Sequence, residues 1–178
     1  MIGGDFVRSQ YYSKGEILHL LAALYPENRL ALEISLATGL RINDVLALKP
    51  SKIIKGRFSV REEKTGKTKF VRLPVDLQKR AIECAGQHYV FEGRLNGKKH
   101  RTRQAVFKDL KRVARLFNLR ANVTPHSMRK IYAVEEYKKF GSLAKVQKLL
   151  NHDNEAVTLL YALSDQLDKR KNFKTLNS

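Results

Sequence analysis

Apolar residues recur at helical spacing along most of the chain and switch to strict alternation in one short window. Ile17, Leu20, Leu21 and Leu24 share one helical face, which Ser13-Lys14-Gly15-Glu16 opens with capping-box spacing. Pro26 is expected to end that helix. A second is predicted over about 27–37, with Leu30, Ile34 and Ala37 inward and Gly39 as its C-terminal residue. A short third covers about 42–48, stopped by Pro50. Residues 57–62 and 68–73 then alternate polar and apolar side chains. With Glu63-Lys64-Thr65-Gly66-Lys67 between them, they read as a β-hairpin.

Pro74 closes the hairpin, and 75–85 returns to helix. Tyr89-Val90-Phe91 reads as a third, edge strand, and 92–101 as a flexible loop rich in Gly and Lys. An amphipathic helix follows over about 103–117, with Val106, Leu110, Val113 and Phe117 inward. Its outer face carries Lys108, Lys111, Arg112 and Arg115. Thr124 caps a further helix that has Pro125 at its first position and ends at Gly141. Two short helices, 142–150 and 154–163, flank an Asn151-His152-Asp153 corner. Residues 1–12 form a lead-in and 165–178 a loose polar tail. With no repeat and no linker, the expectation is one domain over 1–178, mainly α with a small antiparallel β-sheet (α+β).

Charge adds the partner. The 178 residues are 43% hydrophobic, which suits a folded core, yet Lys and Arg number 35 against 17 Asp and Glu, a net +18. A folded domain with that imbalance repels itself unless it meets a polyanion, so nucleic acid is the leading partner and an anionic membrane surface the second. No apolar run approaches the roughly 20 residues that span a bilayer. The N-terminus lacks the apolar core of a signal peptide, and the one cysteine, Cys84, fits a reducing compartment and a packed thiol. No Cys/His spacing suits zinc and no Walker-type loop is present, so no cofactor is expected.

Against that charge, a few residues have the chemistry of a phosphate site. His126 and Arg129, three apart, project from one face at a helix N-terminus, whose free N–H groups favour an anion. Alone, the pair would more often be a cap and a surface arginine. Arg41 follows the tight turn Thr38-Gly39-Leu40, and Asp44 is spaced to fix its fork for bidentate phosphate contact. An ordinary surface ion pair is the bland alternative. Lys64 lies at the hairpin tip beside Lys67 and Lys69. A cation there tracks a nucleic-acid backbone or, reaching into a cleft, protonates a departing oxygen. His152 sits at a helix corner, and Tyr161, nine residues on, is one of seven tyrosines.

Read together, Thr-Gly-Leu-Arg-x-x-Asp (38–44), Lys-Thr-Gly-Lys (64–67), Pro-His-x-x-Arg (125–129), Leu-x-His (150–152) and Tyr161 resemble the catalytic domain of the tyrosine recombinases, the phage integrase family. The resemblance covers nearly the whole chain and implies that fold. By position it implies that Arg41 and Arg129 clamp the scissile phosphate and His152 adds a hydrogen bond. Lys64 would be general acid to the 5′-oxygen, His126 would assist as base, and Tyr161 would attack phosphorus to give a 3′-phosphotyrosyl link. Lys67, Lys69, Lys98, Lys99, Arg101 and Arg103 are candidates for contacts to the DNA backbone. Two departures are Lys130-Ile131, where a His-Thr-like pair is common, and Asn151, where Gly is usual. The N-terminal core-binding domain of full-length relatives is expected to be absent.

The implied activity is site-specific recombination of double-stranded DNA without metal. It implies a tetramer on paired sites, accessory DNA-bending proteins, and a cytoplasmic location on nucleoid or mobile-element DNA. The alternatives are a type IB topoisomerase-like nicking and closing activity, or a DNA-binding module with a silent site.

Overall fold

A computed structural model describes residues 14–118 and 123–150 of the chain. The Ser13 cap, the lead-in, the 154–163 helix and the tail lie outside the described residues. α1 (Lys14–Ala22) buries Ile17, Leu20 and Leu21. Pro26 does not end it. The proline instead opens α2 (Pro26–Thr38), in the first turn where a missing N–H removes no helical bond.

α2 is the central element, with Leu30, Ala31, Leu32, Ile34 and Leu36 all buried. Because it is enclosed on nearly every side, its polar residues need internal partners. The Ser35 hydroxyl donates to the Leu40 carbonyl at 2.7 Å, and Thr38 donates to the Ile34 carbonyl at 2.7 Å. The Asn28 amide donates to Asp109 at 2.7 Å, while Arg29 and Arg80 hold Glu33 at 2.7 and 2.6 Å. Ala37, expected inward, is exposed; Thr38 and Leu40 take the buried positions as the helix ends.

Gly39 ends α2 in the left-handed conformation, φ 66°, with its N–H on the Ser35 carbonyl. α3 (Ile42–Leu46) follows. Pro50 then starts a one-turn α4 (Pro50–Ile53), which sequence reading treated only as a stop. β1 (Arg57–Arg61) and β2 (Thr68–Arg72) pair antiparallel, with Phe58 opposite Val71 and Val60 opposite Lys69. α5 (Val75–Cys84) packs back on α2.

Tyr89-Val90-Phe91 is not an edge strand. Val90 and Phe91 are buried, but the Val90 N–H donates to the Leu48 carbonyl and the Arg101 N–H to the Phe91 carbonyl, leaving one isolated bridge between Glu92 and His100. The segment is an apolar plug whose backbone finds partners one at a time. α6 (Arg103–Leu116) starts at Thr102, whose hydroxyl accepts the Ala105 N–H at 3.1 Å. Val106, Leu110 and Val113 are buried as expected; Phe117 lies past the helix end and is 53% exposed. α7 (Pro125–Phe140) packs along α2, and α8 (Leu143–Leu150) closes against α7 through Ala133, Val134, Val146 and Leu150. No helix among the described residues is long and apolar enough to cross a membrane.

Candidate active site

Three turns deliver the site. Arg41 is the N-cap of α3, held extended (φ −67°, ψ 148°) just after the left-handed Gly39. Lys64 stands in the hairpin turn, which closes through the Gly66 N–H on the Glu62 carbonyl at 2.8 Å, with Gly66 at φ 66°. His126 and Arg129 sit in the first turn of α7, where the Thr124 N–H donates to the Ser127 hydroxyl at 3.1 Å. All four side chains line one cleft of about 710 Å³, together with Arg103 from the start of α6 and the carboxylates of Asp44 and Glu63. His152 and Tyr161 lie outside the described residues.

The other proposed cations divide. Lys67, Lys98, Lys99 and Arg103 are exposed. Arg101 is half-buried, and its Nε donates to Asn28 at 2.6 Å, bracing the loop against α2. Lys69, proposed with them as a DNA-backbone contact, differs: it is only 7% exposed and faces inward from β2.

Arg129 is 1% exposed, and its guanidinium reaches three elements. Nη1 donates to the Gly39 carbonyl, Nη2 donates to the carbonyl of Leu150, and Glu62 lies 3.4 Å from Nη1. One side chain thus joins the end of α2, the hairpin and the end of α8. Glu62 also pairs with Arg41 at 3.0 Å, in the role that sequence reading gave to Asp44. The Asp44 Oδ1 accepts the Glu63 N–H at 2.9 Å, which fixes the turn leading to Lys64. Burial raises the Asp44 pKa, the Glu63 N–H opposes that, and the charge of Glu62 adds to the rise.

Sequence reading passed over Glu62 and the burial of Lys69, yet the alternation carries both. Phe58, Val60 and Glu62 share one parity, and Lys69, Val71 and Leu73 the other strand's matching parity, so both charges face inward with the apolar set. The Lys69 ammonium lies 5.2 Å from the centre of the Tyr132 ring and has no hydrogen-bond partner among the described residues. Burial first, then the Arg129 charge, lowers its pKa to about 8 against the partial support of Glu62. Burial and Glu136 push the Tyr132 phenol up to about 12.

The sign of the Lys69 effect follows. A lysine depressed in the folded state is a cost while charged, and the unfolded chain binds the extra proton between about pH 8 and 10.4. Stability from this group therefore rises with pH across that window. Lys69→Met should remove about 2–3 kcal/mol of that rise. Urea unfolding of both proteins at pH 7 and pH 10 checks it; equal gains in the two would refute the buried cation.

Gly39 is constrained twice. Its positive φ strains any other residue, and a Cβ there would run into the Tyr132 ring. Gly39→Ala is expected to cost about 3 kcal/mol, from backbone strain plus overpacking. A loss of unfolding free energy in urea below about 1 kcal/mol would show that the turn relaxes freely.

Among the described residues, no group of three His, Cys, Asp or Glu side chains is placed to hold a metal ion. The lining is mostly cationic: three arginines (Arg41, Arg103 and Arg129), a lysine and a histidine around one opening, suited to an oxyanion with charge on several oxygens.

Residues 11–167 match the model of the phage integrase family. A tyrosine recombinase of Thermosipho africanus (strain TCF52B) is 31% identical over 161 residues, covering 85% of this chain and 56% of the relative. Tyrosine recombinase XerD of Lacticaseibacillus casei is 29% identical, covering 78% of this chain and 51% of the relative. The chain thus spans about half the length of the curated relatives it matches. Among solved structures, a lambda integrase (75–356) dimer bound to a COC' core site superimposes with TM-score 0.70 at 22% identity, over 89% of this chain and 62% of that one. XerA recombinase gives 0.67 at 21%, over 90% of this chain and 65% of that one. These likenesses confirm the mainly helical fold with its small antiparallel sheet.

Proposed function

Because the chain belongs to the phage integrase family, we propose that its cleft binds the scissile phosphate of double-stranded DNA for site-specific strand cleavage and rejoining. The observation that carries this is the convergence of Arg41, Lys64, His126 and Arg129, from distant segments, on one opening. The Tyr161 oxygen attacks phosphorus and the bond to the 5′-oxygen breaks. The phenol proton passes to His126, and Lys64 supplies one to the leaving 5′-oxygen. Arg41, Arg129 and His152 hold the non-bridging oxygens while charge builds on them. No bond energy is lost to water, so a 5′-hydroxyl from another strand reverses the step.

The net charge of +18 supports DNA as the partner, through release of counterions from the phosphates it covers. Self-association is part of the proposal. A solved neighbour is a lambda integrase tetramer bound to a Holliday junction, with TM-score 0.70 to this chain. The test is an adduct. The protein is incubated with a randomised pool of duplexes nicked so that the released 5′-hydroxyl strand is short enough to diffuse away. An SDS-resistant protein–DNA species is expected, with its DNA joined to Tyr161 by the 3′-phosphate. Absence of any such species, with DNA binding intact, would refute the proposed chemistry.

A further inference from the structure

Glu62 is a buried carboxylate that the mechanism above does not use. Its side chain has no exposed surface, and it does not line the cleft, whereas Arg41, Lys64 and Arg129 do. One oxygen lies 3.0 Å from Arg41 Nη1 and the other 3.4 Å from Arg129 Nη1. The oxygen on the Arg41 side also accepts the Thr65 hydroxyl at 2.9 Å. The Glu62 backbone shapes the same turn, its N–H donating to the Lys67 carbonyl and its carbonyl accepting the Gly66 N–H. Burial works to raise the pKa of this group, but the Thr65 hydroxyl and the two arginines together hold it below the usual range, so it stays ionised.

We propose that Glu62 is a positioning residue: a single anion behind the cleft that gives each guanidinium one oxygen, and so fixes the spacing and tilt of the phosphate clamp. The inference rests on the reading of the cleft as a phosphate site. Two guanidiniums brought toward one point repel each other, and an interior of low polarity strengthens that repulsion. A carboxylate between them offsets it before substrate arrives, and both arginines are among the residues that line the opening. Through Thr65 and Gly66, the same residue couples the clamp to the turn that carries Lys64. The chemical step then gains from a clamp that is already set, while affinity for DNA, which depends on many phosphates, gains little.

The test is single-turnover adduct formation on a suicide duplex recovered from the randomised pool, with DNA affinity measured alongside. Glu62→Gln keeps shape and loses charge; it should slow adduct formation about 10- to 100-fold and change Kd less than about threefold. In an Arg41→Lys background the same substitution should cost clearly less than the full additive amount, because the part of its effect that acts through Arg41 is already lost. Thr65→Val, which keeps the carboxylate, should slow the step about threefold or more and serves if Glu62→Gln does not fold. An adduct rate for Glu62→Gln within twofold of the parent overturns the inference. So does a full additive loss on Arg41→Lys, or an unchanged rate in Thr65→Val. A parent protein that binds DNA but forms no adduct overturns the phosphate reading itself, and the inference with it.

Discussion

Tyr161→Phe should abolish the covalent protein–DNA species while leaving DNA binding within about twofold. The phenol is the one group in the proposed set that forms a bond to phosphorus, and phenylalanine keeps its ring while removing the attacking oxygen. A free phenol has a pKa near 10, so at neutral pH it reacts only when a base takes its proton and cations stabilise the oxyanion. The cleft supplies both kinds of group, in His126 and in Arg41 with Arg129. Without the nucleophile those groups still polarise the phosphate, yet nothing becomes attached to the protein. The adduct rate should therefore fall about 10³-fold or more. Affinity is set by Lys and Arg on phosphates, and a neutral phenol contributes no counterion release. Electrophoresis in SDS with end-labelled DNA reads the first quantity and a filter-binding titration the second. An adduct that persists in the phenylalanine variant would move the nucleophile to another residue and discard the assignment of Tyr161.

How far the residues alone disclosed this site depends on what kind of fact each part is. The helices and the hairpin are periodicities, and periodicity is local, so α2, β1, β2, α6 and α7 were legible almost to their ends. Pro26 and Pro50 misled in the same way. Proline ends a helix on its N-terminal side, but it also suits the first turn of the next one, and both prolines take that second role. Phe117 was placed inward because the 3.6-residue pattern reached it; the helix stops one residue short. Convergence of the site is a different matter. Arg41 and Arg129 meet because α2 and α7 pack along each other, and no spacing within either helix contains that information. The family resemblance stood in for the missing tertiary fact.

Glu62 and Lys69 show where a local rule was available and not carried through. Their parity in the hairpin places them with Phe58 and Val71, on the buried face. Charged residues at inward positions break the apolar pattern, and such breaks tend to sit at functional sites. Arg101 could not have been found that way. Its partner Asn28 is buried where the start of α2 meets Asp109 of α6, so a loop cation that looked solvated serves as a brace.

Arg129→Lys should be nearly as damaging as loss of the nucleophile, although the charge is retained. The guanidinium serves three acceptors lying in different directions: the Gly39 carbonyl, the Leu150 carbonyl and Glu62. It does so from a site that is 1% exposed, so water cannot replace a contact that is dropped. An ammonium on a flexible stem has three donors but no planar fork, and it cannot span carbonyls on opposite sides while also facing the cleft. At least one buried carbonyl should lose its partner, at a cost of about 1–3 kcal/mol. Lysine is also more strongly hydrated, so a site as buried as this one disfavours an ammonium more than a guanidinium. The chemical step should suffer more. Losing a bidentate donor to the developing charge costs about 10²–10³ in rate. Urea unfolding and single-turnover adduct formation separate the two effects, since a purely structural defect would be relieved at lower temperature and a catalytic one would not. A lysine variant that forms adduct within tenfold of the parent rate would mean that Arg129 contributes only its charge. The fork geometry, and with it the three-way anchoring of the clamp, would then have no part in the reaction.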